Sequence, residues 1–472
     1  MPSQHSLALS FCVLSCLVAP AVQAEPAFCT PNVDFGSLPN STAPLVAAGQ
    51  HFRDQAGRAV LLRGVNATGD AKVPPFTALT SASMLDPLPD WGFNALRLLF
   101  TWEAFEPAPC QYNWDYLDYY EEVLDWAHAR HLYVVVDFHQ DAYSRFSIGG
   151  CGEGFPAWAV PSSVELAEPK NDESCASWGT TMIVDLPHHN SWSAFHSDEE
   201  GARSRYLDMV EVVASRVAHH PNVVGYEVLN EPWGNDTELA AFYQDVGDRI
   251  RTRHPSAIVF VPPHALVSSG LAGNNIAPPT YGNFVYSPHY YDGGIITFNS
   301  WSGWPVWMSL GGMYNKANSW GVPMVLGEFG APPDAGNGPA YIATLYNWLD
   351  EHFVSSFQWS FTPNWTPETF DGWNSEDFSI IDDSGLLRAN YAPRPYPQKV
   401  AGTPIAFSLD ATGLEFSWQN TPGAGATELY LPVGYAAGRT LSASAGLSCT
   451  LQTTRLRCAG AATSGEVQVV LE

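Results

Sequence analysis

From about residue 59 the sequence alternates short apolar runs with longer amphipathic stretches, and it keeps that rhythm through eight candidate strands. The runs are Val60 to Val65, Asn94 to Phe100, Leu132 to Phe138, Val223 to Leu229, Ile258 to Val261, Phe284 to Pro288, Met324 to Phe329 and Ser356 to Phe361. Between them, Tyr116 to His128 sets Leu117, Tyr120, Leu124 and Ala127 on one helical face, and Arg203 to Val217 does so with Tyr206, Met209, Val213 and Val217. This is the pattern of βα units around a parallel sheet, and eight of them close a barrel. The fold class expected is α/β, a (β/α)8 TIM barrel over residues 59–390.

The rest of the chain does not share that rhythm. The segment from about 139 to 202 is too long for an ordinary βα connection and carries two cysteines, so it reads as a disulfide-pinned lobe over the active face. Pro-rich Tyr391-Ala-Pro-Arg-Pro-Tyr-Pro397 reads as a linker over residues 391–400. Past it, Ile405 to Leu409, Leu414 to Trp418 and Val467 to Leu471 alternate with period two, which predicts a small antiparallel β-sandwich over 401–472. At the other end, the apolar run Leu7 to Val22 leads into Val22-Gln23-Ala24, the small-residue pattern of a signal-peptide cleavage site. Residues 1–24 are therefore expected to be removed on export, leaving 25–58 as an N-terminal arm and a secreted or periplasmic protein.

Cleavage takes two of the eight cysteines, Cys12 and Cys16. The remaining even number suits disulfides, and proximity pairs Cys151 with Cys175, Cys449 with Cys458 and Cys29 with Cys110. No Cys-x-x-Cys or close His pair with zinc spacing accompanies them, so neither a metal nor another cofactor is expected. The net charge of -27, with no basic stripe to offset it, excludes a nucleic-acid partner. No later apolar stretch is long enough to span a bilayer, and a monomer is expected.

In such a barrel, polar residues that end apolar runs are the first candidates for chemistry, because the C-terminal strand ends carry the active site. Strand two holds Arg97; strand three ends in Asp137-Phe-His139-Gln-Asp141; strand four in Asn230-Glu231-Pro232; strand six in His289-Tyr-Tyr291; strand seven in Gly327-Glu328-Phe329-Gly330; strand eight holds Trp359. A lone glutamate after a strand is usually a surface charge or a helix-start neighbour. Two glutamates on strands four and seven are different, because those strands face each other across the mouth. Glycoside hydrolysis with retention needs two carboxyl groups about 5 Å apart, one to protonate the leaving oxygen and one to attack the anomeric carbon.

Asn230-Glu231-Pro232, Arg97, His139, His289-x-Tyr291, Glu328 and Trp359 together resemble the motif set of glycoside hydrolase family 5, over roughly residues 59–390. Gly64-Val65-Asn66 with Lys72-Val-Pro-Pro75, Asp137 to Asp141, Tyr226 to Pro232 and Ser287 to Asp292 resemble its endoglycoceramidase branch, whose members cut between an oligosaccharide and ceramide. The C-terminal β-sandwich agrees with that branch. The resemblance implies that Glu231 is the acid/base and Glu328 the nucleophile, kept ionised by Arg97 and by a hydrogen bond from Tyr291. It implies that Asn230 holds the sugar 2-hydroxyl, that the first sugar stacks on Trp359, and that His139, Asp141 and Lys72 fix its outer hydroxyls. His289 and Trp178 complete the expected substrate-binding set. Other readings stand beside these: His139 and His289 as satisfied core histidines, Arg97 as a structural cation, Tyr290 rather than Tyr291 as the tyrosine facing the site, and Lys72 as a solvated charge in a Pro-rich loop.

A lipid leaving group needs an apolar groove. The loop after strand six, Trp301-Ser-Gly-Trp304-Pro-Val-Trp307-Met308, and Phe155-Pro-Ala-Trp158 and Trp178 after strand three offer one, unless these rings merely pack under the loops. The expected substrate is a glycolipid in a micelle or membrane. An exo-β-glucosidase acting on glucosylceramide or sterol glucosides, a family 5 β-glucanase, and a non-catalytic glycan-binding barrel are the alternatives.

Overall fold

The computed structural model describes residues 43–268, 273–460 and 464–472. The expected signal peptide and Cys29 lie outside the described residues. Eight parallel strands form the central sheet: β1 (Arg63–Ala67), β2 (Ala95–Thr101), β3 (Tyr133–His139), β4 (Val223–Glu227), β5 (Ile258–Val261), β6 (Phe284–Tyr286), β7 (Val325–Phe329) and β8 (Ser355–Gln358). The order runs β7-β8-β1-β2-β3-β4-β5-β6, and single parallel bridges, Tyr286 to Met324 and His289 to Glu328, join β6 to β7 and close the barrel. All eight expected strands are present. The first is displaced: Ala59–Val60 leaves the barrel for another sheet, and Trp359 follows β8 rather than lying within it.

Helices cover the barrel because their apolar faces match its outer wall. Helix α1 (Trp114–Ala129) buries Leu117, Tyr120, Leu124 and Ala127, and α2 (Ala202–Val217) buries Tyr206, Met209, Val213 and Val217, the two faces read from sequence. Helix α3 (Asp236–Arg253) starts at a reciprocal capping box between Asn235 and Glu238, which satisfies amide donors that a first turn leaves free. The barrel interior is packed by Leu62, Ala95, Val135, Val224, Phe260, Val285, Val325 and Phe357, and Leu45 and Phe52 of an N-terminal hairpin cluster with them. The interior is thus filled core, and its chemistry is confined to the strand ends.

The C-terminal part is an antiparallel sandwich of two sheets. Strands Gly402–Leu409, Leu414–Asn420, Gly465–Leu471 and Leu441–Ala443 make one. The other is seven-stranded and mixes distant parts of the chain, with Tyr396–Val400 paired to Ala59–Val60 on one side and to Thr427–Tyr430 on the other. Residues 396–400 are therefore a strand and not part of a linker; alternation hidden by the prolines at 393, 395 and 397 is the reason the sequence reads otherwise. Between the sheets lie Phe416, Trp418, Val469 and Leu471 against Leu429, Leu431 and Leu456, each contributing about 1.5–3 kcal/mol through burial. Two tyrosine hydroxyls fasten this part to the barrel, Tyr430 and Tyr396 donating to the carbonyl oxygens of Asp90 and Gly92, each at 2.6 Å, and Tyr391, in the barrel core just ahead of it, donates to that of Trp91 at 2.7 Å.

Cys151–Cys175 and Cys449–Cys458 are bonded as proximity suggests. Cys110 is disulfide-bonded too, and Cys29, the partner expected for it, lies outside the described residues.

Candidate active site

Arg97, within β2, is fully buried and organises the mouth of the barrel. Its Nη1 donates to Glu328 Oε1 at 2.7 Å and to Asn66 Oδ1 at 2.8 Å. Its Nη2 donates to Glu227 Oε1 and Asn230 Oδ1, each at 2.7 Å, and lies 3.0 Å from Asp137 Oδ1. A planar guanidinium can hold so many acceptors in fixed directions, which an ammonium cannot. Burial favours a neutral carboxyl at Glu227, but Arg97 outweighs it and holds that group down to about 2.

Glu328 on β7 is fixed at both oxygens, Oε1 by Arg97 and Oε2 by the Tyr291 hydroxyl at 3.0 Å. It follows Gly327, where a Cβ would come within 2.8 Å of His289 Nε2, so the strand needs glycine there to let the imidazole in. Glu231 follows β4 with φ of 35°, a left-handed conformation unusual for a non-glycine residue. Gln140 holds that turn, its amide donating to the carbonyl oxygens of Asn230 at 2.7 Å and Glu231 at 3.1 Å. His289 Nδ1 meets Glu231 Oε1 at 2.9 Å and Glu328 Oε2 at 3.6 Å. Burial works against a charged His289, yet the carboxylates of Glu328, Glu227 and Glu231 outweigh it and raise the imidazole to about 10. One carboxylate oxygen of Glu231, one of Glu328 and a ring nitrogen of His289 lie within 4.8 Å of one another.

A second cluster lies beside the first. His139 Nδ1 is 2.6 Å from Asp137 Oδ2, and its ring stacks 5.6 Å from Trp359 at an interplanar angle of 7°. Lys72 donates to Asp141 Oδ2 at 2.6 Å, with its Nζ 4.2 Å from the Trp359 ring centroid and 4.0 Å from that of Trp373. Lys72 is thus buried, not solvated: burial disfavours its charge, but Asp141 and Glu376 outweigh that and keep it protonated. In return Asp141 is held down to about 2 despite burial. Trp178 donates to Glu376 Oε1 at 3.2 Å and packs edge-on against Trp373. Each cluster holds a cation in direct contact with its carboxylates, Arg97 in one and Lys72 in the other.

Every residue that the sequence offered for catalysis or sugar binding lies in these two clusters. Sequence reading missed Glu227, Asn66 and Gln140, which orient the central groups, and Glu153, Trp373 and Glu376, which complete the second cluster. Glu227 and Asn66 stand inside recognisable motifs, and a count of the acceptors a buried Arg97 requires would have found them.

The description Cellulase (glycosyl hydrolase family 5) fits residues 53–365, and that of the family 5 C-terminal domain fits residues 394–471. The chain belongs to glycosyl hydrolase family 5. It is 28% identical to endoglycoceramidase I of Rhodococcus hoagii over 435 residues, covering 83% of this chain and 81% of that one. Among solved structures, endo-glycoceramidase II of a Rhodococcus species in complex with ganglioside GM3 superposes with a TM-score of 0.74 at 25% identity, over 90% of this chain and 99% of that one. The lactosyl-enzyme intermediate of the same protein matches at 0.73 and 26%, over 89% and 99%. As a family 5 protein this chain is a glycoside hydrolase on a TIM barrel with a C-terminal sandwich.

The apolar loops divide. Phe155 is buried and Trp158 half-buried, donating to the Glu106 carbonyl, so these two strand-three aromatics are packing residues, whereas Trp178 joins the second cluster. After strand six, Trp304 in the loop and Trp307 and Met308 at the start of the helix Trp307–Trp320 stand 54, 61 and 50% exposed, and Phe298 on the preceding short helix 79%.

Proposed function

We propose that the protein is a retaining glycosidase that cleaves the β-glycosidic bond between an oligosaccharide and ceramide in glycosphingolipids. The observation that carries the reading is the approach of the Glu231 and Glu328 carboxylates to within 4.8 Å, the separation that retention requires, beside a buried arginine. Glu328 attacks the anomeric carbon while Glu231 protonates the glycosidic oxygen, releasing ceramide as its alcohol and leaving a glycosyl ester on Glu328. Glu231, now a carboxylate, takes a proton from water as that water attacks the same carbon, and the glycan leaves with its configuration retained.

Arg97 and Tyr291 withdraw charge from Glu328 as the ester forms and breaks. Asn230, held through its oxygen by Arg97 and through its amide by the Gln140 carbonyl oxygen at 3.0 Å, meets the 2-hydroxyl by giving up its longer contact to Asp141 Oδ1 at 3.3 Å. The sugar stacks on Trp359, with His139, Asp141, Lys72 and Trp178 around its outer hydroxyls and His289 bridging the two glutamates. The exposed Trp304, Trp307, Met308 and Phe298 supply the apolar surface for the lipid. Cleavage behind Ala24 and export of a monomer fit the disulfides. The sandwich braces the barrel through its tyrosines.

An exo-acting β-glucosidase is a second reading, favoured by the mutual contacts of Trp178, Trp373 and Glu376 beside Lys72, which would limit the room for further sugars. Incubation with lactosylceramide, glucosylceramide and soluble cello-oligosaccharides, with products resolved by mass, separates the cases. Intact disaccharide plus ceramide supports the first reading; cleavage of glucosylceramide alone moves it to the second, and of soluble glucan alone to a β-glucanase.

A further inference from the structure

His219 and His220 follow α2 and precede β4, so they stand at the N-terminal ends of the strands, on the face of the barrel opposite the glutamate pair. One ring nitrogen of each and one carboxylate oxygen of Glu121, on α1, lie within 4.8 Å of one another. His220 is only 5% exposed; its Nδ1 meets Asp125 Oδ1 at 3.1 Å, while its Nε2 is buried without a hydrogen-bond partner, 3.6 Å from Glu121 Oε1. His219 sets its Nδ1 2.6 Å from the carbonyl oxygen of Arg216.

A carbonyl oxygen only accepts, so His219 Nδ1 carries the hydrogen and its Nε2 keeps a lone pair; the Asp125 carboxylate imposes the same tautomer on His220. Metal-ligating histidines are held in this way, one nitrogen donating to a carbonyl or carboxylate and the other left to bind. Glu121 is divided likewise, Oε2 accepting from Arg216 and Oε1 facing His220. Asp118, Glu121 and Asp125 share one face of α1, and Arg216 pairs with the first two, which leaves negative charge for a further cation. A protonated His220 between Glu121 and Asp125 would account for its burial, but not for the adjoining donor on His219.

We propose that Glu121, His219 and His220 form a binding site for a zinc-type divalent cation. Two imidazoles and a carboxylate suit Zn2+ and its neighbours Co2+, Ni2+ and Cu2+, whereas Ca2+ and Mg2+ take oxygen ligands. Three protein ligands leave a fourth position for water. The ion would tie α1 to the α2–β4 connection, independently of what the mouth hydrolyses. Sequence spacing does not show the site, since Glu121 meets His220 only through packing of the two helices.

The test uses untagged protein stripped with a chelator and titrated calorimetrically with Zn2+ near neutral pH. One saturable site per chain is expected, with a raised melting temperature and no competition from Ca2+ or Mg2+. His219→Ala, at an exposed position that does not endanger the fold, should abolish both the site and the thermal shift, and Asp125→Asn should weaken binding about tenfold or more. Co2+ in place of Zn2+ should show tetrahedral visible absorption that H219A lacks. Absence of saturable Zn2+ binding in the wild type, or binding by H219A as tight as by the wild type, overturns the proposal.

Discussion

Glu153 is the side chain most at odds with its surroundings. It is fully buried, neither carboxylate oxygen has a hydrogen-bond partner, and Oε1 lies 3.7 Å from His139 Nε2. Burial, together with the charge on Asp141, outweighs the pull of His139 and Lys72 and lifts it from 4.5 to about 8. Folding thus takes up a proton between those values, and the stability from this neutral acid, complete below its unfolded pKa, is lost as pH rises through about 8. Glu153→Gln cannot titrate, so its melting temperature relative to the wild type should rise between pH about 5 and pH about 8; parallel curves would sink the assignment. At the reacting centre, Glu328→Gln should retain less than about a hundredth of wild-type turnover while still binding substrate, and Glu231→Ala should regain activity with azide on a substrate with a good leaving group. Failure of azide rescue would count against Glu231 as acid/base. Both glutamates were legible from their strand-end motifs. Glu153 was not, because its place beside His139 comes from a loop that returns to bridge Asp141 across the sequence.

The lobe between β3 and α2 shows what an element adds to those residues. It contributes Glu153 and Trp178 to the second cluster, and Cys151–Cys175 ties its two limbs together across a separation of 24 residues. A closed loop of that length contributes about 3 kcal/mol through the unfolded chain. The double variant C151S/C175S should lower stability by about that amount and raise KM more than it lowers kcat, since it loosens the lobe that carries Glu153 and Trp178 but leaves Arg97 and Glu328 on their strands. Equal falls in kcat and kcat/KM would show that the lobe acts on the reacting centre instead. The barrel strands were legible because buried runs announce themselves; β5 matches its expected span residue for residue. Tyr396–Val400 was lost among prolines, and its role depends on partners more than 300 residues earlier, which no local pattern encodes.

At the scale of the molecule, barrel and sandwich meet at the turn Asp90–Gly92. Gly92 has φ of 97°, and a Cβ there would come within 2.5 Å of the Tyr430 ring, so Gly92→Ala should destabilise the whole chain by about 1–3 kcal/mol, measured by denaturant unfolding. Two separate unfolding transitions, with only one of them shifted, would mean that the two parts unfold separately. The net charge of -27 makes a second prediction: on vesicles rich in anionic lipid, glycolipid hydrolysis should rise with salt, while a soluble aryl glycoside is turned over at a nearly constant rate. Equal salt responses would remove surface repulsion as the cause. The seven-stranded sheet, finally, sets a timetable. The strand at Ala59–Val60 can meet its neighbour at Tyr396–Val400 only when most of the chain has emerged, and at about 5–20 residues per second that wait is tens of seconds. During that interval the early hairpin presents an open edge to whatever chaperone attends it, and the stretch that shuts it is synthesised more than 300 residues later.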